Sequence, residues 1–509
     1  MRTPRLALLS AALLASAVAV PSLAATSGKV TVTNGCVESV PDAGSTTPQK
    51  ICYTLFKPAG ADARHKVPMV LHSHGWGGSR TTDPASFKPF LDAGYGVLSF
   101  DQRGFGQDGG KARIENPAYE GKDVEKIVDL ISKLNWVIQD GPGDPRLGSI
   151  GGSYGGGYQF VGAFTEIADK HKQVFDALAP EITWWDLKQS LAPQGVPKTE
   201  WVSLLTAAGV QALPPEILEG TAYAAATGLW PDGTVPGVPN LDAFFAKNGP
   251  KWQVGQGRRI DVPVLFRQGI TDELFPLDQG LQNFAKALTP RARKHSIFVG
   301  YNGGHVLPNA YPLTVQPSGD PCSAQLTGGK DFTALTIRFF NHVLKHQKDT
   351  LSGYGQYHLA TADNTCTTTD AVTPTHTFQV GTVATTELAS PPLATKVADG
   401  PLRVAGTPYL DGDVTALGVN NRAFYALGIG TSPADVKIVQ GDVAPWSSLT
   451  PVSGQHERIE MPSVAVNVPK GESLYVVAMA TNDMFIGFGS RTPGAVVVQN
   501  AKVEVPLVQ

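Results

Sequence analysis

Residues 146–156 read RLGSIGGSYGG. A short apolar run, with Leu147 and Ile150, passes directly into Gly151, Gly152, Ser153, Tyr154 and Gly155 and then into a helical stretch. Gly-x-Ser-x-Gly between a strand and a helix puts the serine on a tight turn with strained dihedrals. The glycines two residues to either side remove Cβ atoms that would clash there. Ser153 is thereby pushed out over the C-terminal edge of a sheet, beside a helix N-terminus that favours negative charge. A serine hydroxyl alone is a weak nucleophile and needs a base held by an orienting acid.

Buried strands flank this turn. Residues 67–72 (VPMVLH) and 96–100 (GVLSF) are apolar runs of the kind found in a parallel strand covered on both faces. The first ends in HSHGWGG at 72–78 and the second in DQRGFG at 101–106. Between the second strand and the serine turn, Val124, Ile127, Val128, Ile131, Leu134 and Ile138 follow a helical period. Strands are expected again at 177–179, 262–266 (VPVLF) and 296–299, with helices at 87–93, 277–288 and 332–348. Alternating strands and helices argue for a doubly wound, mostly parallel α/β sheet. Residues 183–258, rich in Trp, Pro, Leu and Ala, interrupt the alternation and read as a helical lid. Residues 351–375, rich in Thr, Ser and Asp, read as a linker. From 376 to 509 short β-type runs recur between turns, the texture of an antiparallel β-sandwich of jelly-roll type.

Composition narrows the function classes. Lys and Arg number 41 against 44 Asp and Glu, which gives no basic footprint for nucleic acid. Hydrophobic residues make up 42% and charged residues 17%, enough to bury sizeable cores. Gly (55) and Pro (39) are in excess, as suits a turn-rich chain rather than a helical bundle.

The serine's partners are expected in the order acid, then histidine. After VPVLF comes RQGITDELFP at 267–276, where Asp272 is the chosen acid and Glu273 and Asp278 compete with it. After the next strand comes YNGGH at 301–305, which makes His305 the base. The oxyanion of the tetrahedral intermediate needs two preorganised donors, assigned to the backbone N–H groups of Tyr154 and Trp76. His72 and His74 lack further ligands at metal spacing, so no metal or other cofactor is expected. Asp101 and Arg103 are expected to pair beneath the site.

The first residues carry an export signal. Arg2 and Arg5 precede an apolar run from residue 6 to 20, too short to span a bilayer comfortably. Pro21 and small residues up to Ala24 then set cleavage after residue 24, which implies a secreted or periplasmic protein with no membrane span in the mature chain. In that setting Cys36, Cys52, Cys322 and Cys366 suggest two disulfides, and the local pairs 36–52 and 322–366 are favoured.

Taken together, the GGSYGG turn at 151–156, DQRGFG at 101–106, the helical insertion from 183 and the C-terminal β region resemble the cocaine-esterase-like and X-prolyl dipeptidyl-peptidase group of serine hydrolases. The resemblance implies an α/β-hydrolase core over residues 25–350, a jelly-roll C-terminal domain and a triad of Ser153, Asp272 and His305. It also implies cleavage of a small ester, an amide or a short peptide through an acyl-enzyme. A carboxylesterase without peptidase activity and a non-catalytic binding protein on the same fold are the alternatives. One departure stands out: the family often supplies a tyrosine hydroxyl to the oxyanion hole after the first glycine-rich strand end. Here the residue is Trp76, which leaves the second donor open. A peptidase taking free N-termini needs a carboxylate for the ammonium, for which Glu181 and Asp186 are the candidates. Trp184, Trp185, Trp201 and Trp230 are candidates for an acyl pocket.

Overall fold

The computed structural model describes residues 29–307, 314–315, 317–385, 391–485 and 495–508. The expected export signal lies outside them. Among the described residues no helix is long and apolar enough to cross a membrane.

Ten strands form the central sheet. They are β1 (Thr31–Ser39), β2 (Gln49–Lys57), β3 (Met69–Ser73), β4 (Gly96–Phe100), β5 (Leu147–Gly152), β6 (Ala177–Glu181), β7 (Leu265–Gly269), β8 (Ile297–Tyr301), β9 (Tyr357–Ala360) and β10 (Cys366–Thr369). Their spatial order is β1-β2-β4-β3-β5-β6-β7-β8-β9-β10. The strands from β4 across to β9 run parallel, and β1, β2 and β10 pair antiparallel at the two edges. This is an α/β-hydrolase core. Val70, Leu71, Val97 and Leu98 are fully buried, because helices cover both faces of the sheet.

The helix that precedes the serine turn, α1 (Glu120–Ile131), buries Val124, Ile127, Val128 and Ile131. It stops before Leu134 and Ile138, although the apolar period runs on. Ile138 N donates instead to Val67 O at 3.0 Å, so the end of that period extends a strand edge rather than a helix. The helix after the turn, α2 (Tyr154–Lys170), lies on the sheet through Tyr158, whose hydroxyl donates to Leu71 O at 2.7 Å.

The stretch 351–375 is a correction. It is not a bare linker, since it supplies β9 and β10. Its polar residues sit at the sheet edge, where Thr367–Thr369 pair with β9 and Thr368 and Thr369 stay half-buried. Cys322 and Cys366 form a disulfide that ties β10 to the helix Pro321–Thr327, and Cys36 and Cys52 form a disulfide directly across the β1–β2 ladder.

Beyond β10 the chain is a β-sandwich. A six-stranded sheet includes Asn421–Gly430, Ser473–Met479 and Leu393–Asp399, and a four-stranded sheet consists of His376–Ala384, Val496–Val505, Tyr409–Ala416 and Val452–Glu460. Val414, Val498 and Val503 of one sheet pack with Tyr425, Leu427 and Val476 of the other in a common core. Val496–Val505 is one continuous strand of ten residues. The strand Val452–Glu460 escapes apolar periodicity because it is an exposed edge with mostly polar side chains.

The insertion is helical, with Leu187–Leu191, Thr199–Gly209 and Pro215–Thr227 as three of its helices. It is clamped between core and sandwich. Val196 is buried among Phe424, Val443, Met479 and Phe485 of the sandwich, and Arg422 Nη2 donates to Gly228 O.

Candidate active site

The serine turn is strained as its sequence requires. Ser153 has φ 57° and ψ −122°, a left-handed conformation that a non-glycine residue rarely adopts. The glycines two residues to either side admit no side chain: a Cβ on Gly151 would meet Gly155 O at 2.5 Å, and one on Gly155 would meet Ser73 O at 2.5 Å. Ser153 N donates to Glu181 O at 3.0 Å, which fixes the turn against the end of β6.

Three side chains from distant strand ends meet here. His305 Nε2 lies 2.9 Å from Ser153 Oγ, and His305 Nδ1 lies 2.7 Å from Asp272 Oδ2. Asp272 is fully buried, and its Oδ1 accepts from Leu274 N at 3.0 Å and Phe275 N at 2.7 Å. The imidazole is flanked edge-on by Phe275 and Trp201, with ring centroids at 5.3 and 5.8 Å. The competing carboxylates sit elsewhere. Glu273 Oε2 accepts from Leu307 N at 2.9 Å, and Asp278 is half-buried at the junction with the sandwich, where it shares a cavity with Asp442.

The loop after β3 passes beside the serine: a Cβ on Gly75 would lie 3.9 Å from Ser153 Cβ. Trp76 spends its indole donor elsewhere, with Nε1 donating to Leu205 O at 2.9 Å, so the only donor it has left for Ser153 is its main-chain N–H. His74 Nε2 accepts from Gln102 N at 3.0 Å, and burial pulls His72 down to about 4. Among the described residues no group of His, Cys, Asp or Glu could hold a metal.

A cavity walled almost wholly by apolar side chains opens on Ser153. Trp76, Trp184, Val202, Leu213, Ile217 and Phe275 are among its walls. Trp184 and Trp230 line it, but Trp185 does not: it is buried in the hydrophobic core beneath the sheet. Glu181 pairs with Arg267 at 2.7 Å, and Asp186 caps the helix Leu187–Leu191 and pairs with Lys251 at 2.6 Å. Both acids are engaged and neither lines the cavity. Asp101 and Arg103 do not pair with each other. Asp101 holds Arg80, while Arg103 binds Asp123 at 2.6 Å and Asp42 at 2.8 Å.

Lys198 is a site residue that the sequence concealed. Nothing in VPKTE at 196–200 marks it, yet it is 2% exposed and donates to Glu273 O at 2.5 Å, bracing the loop that holds Asp272. Burial pulls its ammonium below the ordinary lysine value.

Known proteins supply an independent comparison. The profile of the X-Pro dipeptidyl-peptidase (S15 family) matches residues 49–306. An uncharacterized 31.7 kDa protein of the traX-finO intergenic region of Escherichia coli is 34% identical over 100 residues, 19% of this chain and 33% of its own. The uncharacterized protein YcjY of Escherichia coli K12 is 27% identical over 106 residues, 20% of this chain and 33% of its own. The chain therefore spans about a third of the length of these curated relatives. Among solved structures, a CocE/NonD family hydrolase from Staphylococcus aureus has a TM-score of 0.64 at 14% identity, covering 94% of both chains. An alpha-amino acid ester hydrolase has a TM-score of 0.60 at 14% identity, covering 96% of this chain and 98% of its own. Likeness at such identities speaks for the shared fold. The match over residues 49–306 takes in the serine turn, the acid loop and the histidine turn, and the chain belongs to the X-Pro dipeptidyl-peptidase (S15) family of hydrolases.

Proposed function

We propose that this protein is an exported serine hydrolase that cleaves a carboxylic ester, amide or peptide bond through an acyl-enzyme on Ser153. The observation that carries this reading is the unbroken chain from Asp272 Oδ2 through His305 to Ser153 Oγ, at 2.7 and 2.9 Å, behind a strained turn. In the first step Ser153 Oγ attacks the carbonyl carbon while His305 Nε2 takes its proton. Asp272 holds the imidazole with its proton on Nδ1 and stabilises the imidazolium that forms. The oxyanion receives hydrogen bonds from Tyr154 N–H and from the 75–76 main chain. His305 then returns the proton to the leaving oxygen or nitrogen as its bond to carbon breaks. Water, deprotonated by the same imidazole, attacks the acyl carbon; the bond to Ser153 Oγ breaks as His305 gives that oxygen the proton, which releases the acid and restores the serine.

The test is direct. Ser153→Ala and His305→Ala should each abolish hydrolysis of short p-nitrophenyl esters, apart from a weak residual rate. A fluorophosphonate probe should label Ser153 and nothing in the Ser153→Ala protein. A folded protein that hydrolyses no ester or amide and takes no label would return the reading to a binding role. Export is supported by the basic and apolar start of the sequence and is compatible with the two disulfides. N-terminal sequencing of the protein from culture supernatant or periplasm should begin at Ala25.

A further inference from the structure

The cavity that opens on Ser153 offers a substrate no charge. The threonine hydroxyls and two of the indole N–H groups in its walls are spent on partners of their own. Thr206 and Thr221 donate their hydroxyls to the carbonyls of Val202 and Ile217 at 2.7 and 2.8 Å, one turn back in their own helices. The indoles of Trp184 and Trp230 donate to Asn248 O at 2.7 Å and Asp242 Oδ1 at 2.8 Å. Among the described residues that line it, none is a carboxylate.

A carboxyl does stand close by, behind a partition. Glu115 is 2% exposed, and among the described residues neither of its oxygens has a hydrogen-bond partner. It lines a second, water-sized cavity, and Trp184 lines both cavities. Gly157 marks the contact: a Cβ there would lie 2.6 Å from Trp184 Cη2 and 3.0 Å from Glu115 Cγ.

Resting on the assignment of Ser153 as nucleophile, we propose that this cavity takes the uncharged, apolar acyl group of a carboxylic ester, and that Trp184 sets this preference by keeping Glu115 out of the cavity. An α-ammonium entering such a cavity loses its hydration and gains no counter-charge, so the acyl groups of free amino acids and dipeptides are turned away. The chain thus departs in substrate from what its family's description names.

The discriminating pair is ethyl 4-methylpentanoate and L-leucine ethyl ester, isosteric but for the ammonium. The full-length protein is assayed by pH-stat at about pH 6.5, where an α-amino group is mostly protonated. The neutral ester should be preferred in kcat/KM by at least about 1,000-fold, which is about 4 kcal/mol. Ala-Pro-p-nitroanilide should be a comparably poor substrate. A preference under about tenfold, or one for the charged substrate, overturns the proposal; Ser153 still stands as nucleophile if Ser153→Ala abolishes both activities. Hydrolysis of neither ester, with no fluorophosphonate label, brings down both readings. Trp184→Ala should narrow the preference at least about tenfold, and adding Glu115→Gln should restore it. A folded Trp184→Ala protein with unchanged preference removes Trp184 from the proposal, and should that variant fail to fold, the wild-type comparison decides.

Discussion

Replacing Asp272 with asparagine should stop the proposed relay without disturbing the fold, because the hydrogen bonds around it dictate how the amide must sit. Asp272 Oδ1 accepts from Leu274 N at 3.0 Å and Phe275 N at 2.7 Å. Only an oxygen can serve there, so the asparagine carbonyl takes that place and its NH2 faces His305 Nδ1. The neutral imidazole must then accept at Nδ1 and carry its proton on Nε2. That atom lies 2.9 Å from Ser153 Oγ, and it loses the lone pair that would take the serine proton. The expected fall is about 10⁴-fold in kcat, or about 5.4 kcal/mol at about 1.36 kcal/mol per tenfold. Steady-state hydrolysis of p-nitrophenyl butyrate measures it, and the rate of fluorophosphonate labelling should fall with it. The melting temperature should move by only a few degrees, because each bond to Asp272 keeps a partner. A folded Asp272→Asn protein with kcat within about tenfold of wild type would refute the reasoning. Glu273→Gln is the control: its carboxylate faces Leu307 N, so kcat should stay within about tenfold, and a loss matching that of Asp272→Asn would move the acid to Glu273.

Other outcomes follow from the packing around the site. Lys198→Met leaves the buried carbonyls of Glu273 and Leu274 without their donor, at roughly 1–3 kcal/mol each, so stability should fall. As the acid loop shifts, kcat should drop by about 10²-fold with KM little changed, and a variant with normal kcat would deny Lys198 its bracing role. Reductant should lower the melting temperature. In the chain-entropy picture the closed loops, with sequence separations of 16 and 44 residues, are worth about 3 and about 4 kcal/mol, and an unchanged transition would count against them. Burial pushes Asp442 up to about 7 and raises Asp278 above the ordinary carboxylate range. Both lie near Lys198, which opposes the rise. With folded pKa values raised, the folded state binds more protons than the unfolded state between about pH 4 and about pH 7, so this junction weakens as pH rises through that window. Asp442→Asn should therefore gain more melting temperature at about pH 8 than at about pH 5, and an equal shift at both would sink the idea.

The sequence by itself determined the local geometry. Gly151 and Gly155 announced a turn too tight for side chains, and the buried runs around them announced a sheet covered on both faces, because short-range sterics and apolar continuity are written in neighbouring residues. Chain order then pointed to Asp272 and His305. What the sequence could not determine was which distant groups share a space. Asp101 and Arg103, two residues apart, bind different partners because the end of β4 sends one toward Arg80 and the other toward Asp42 and Asp123. Trp184 and Trp185 are adjacent and equally apolar, yet one lines the cavity beside Ser153 and the other lies in the core beneath the sheet. Lys198 carries no signal in its local sequence and is buried against the acid loop. Tertiary packing alone decided these, since burial and pairing are set by which side chains the folded layers bring together.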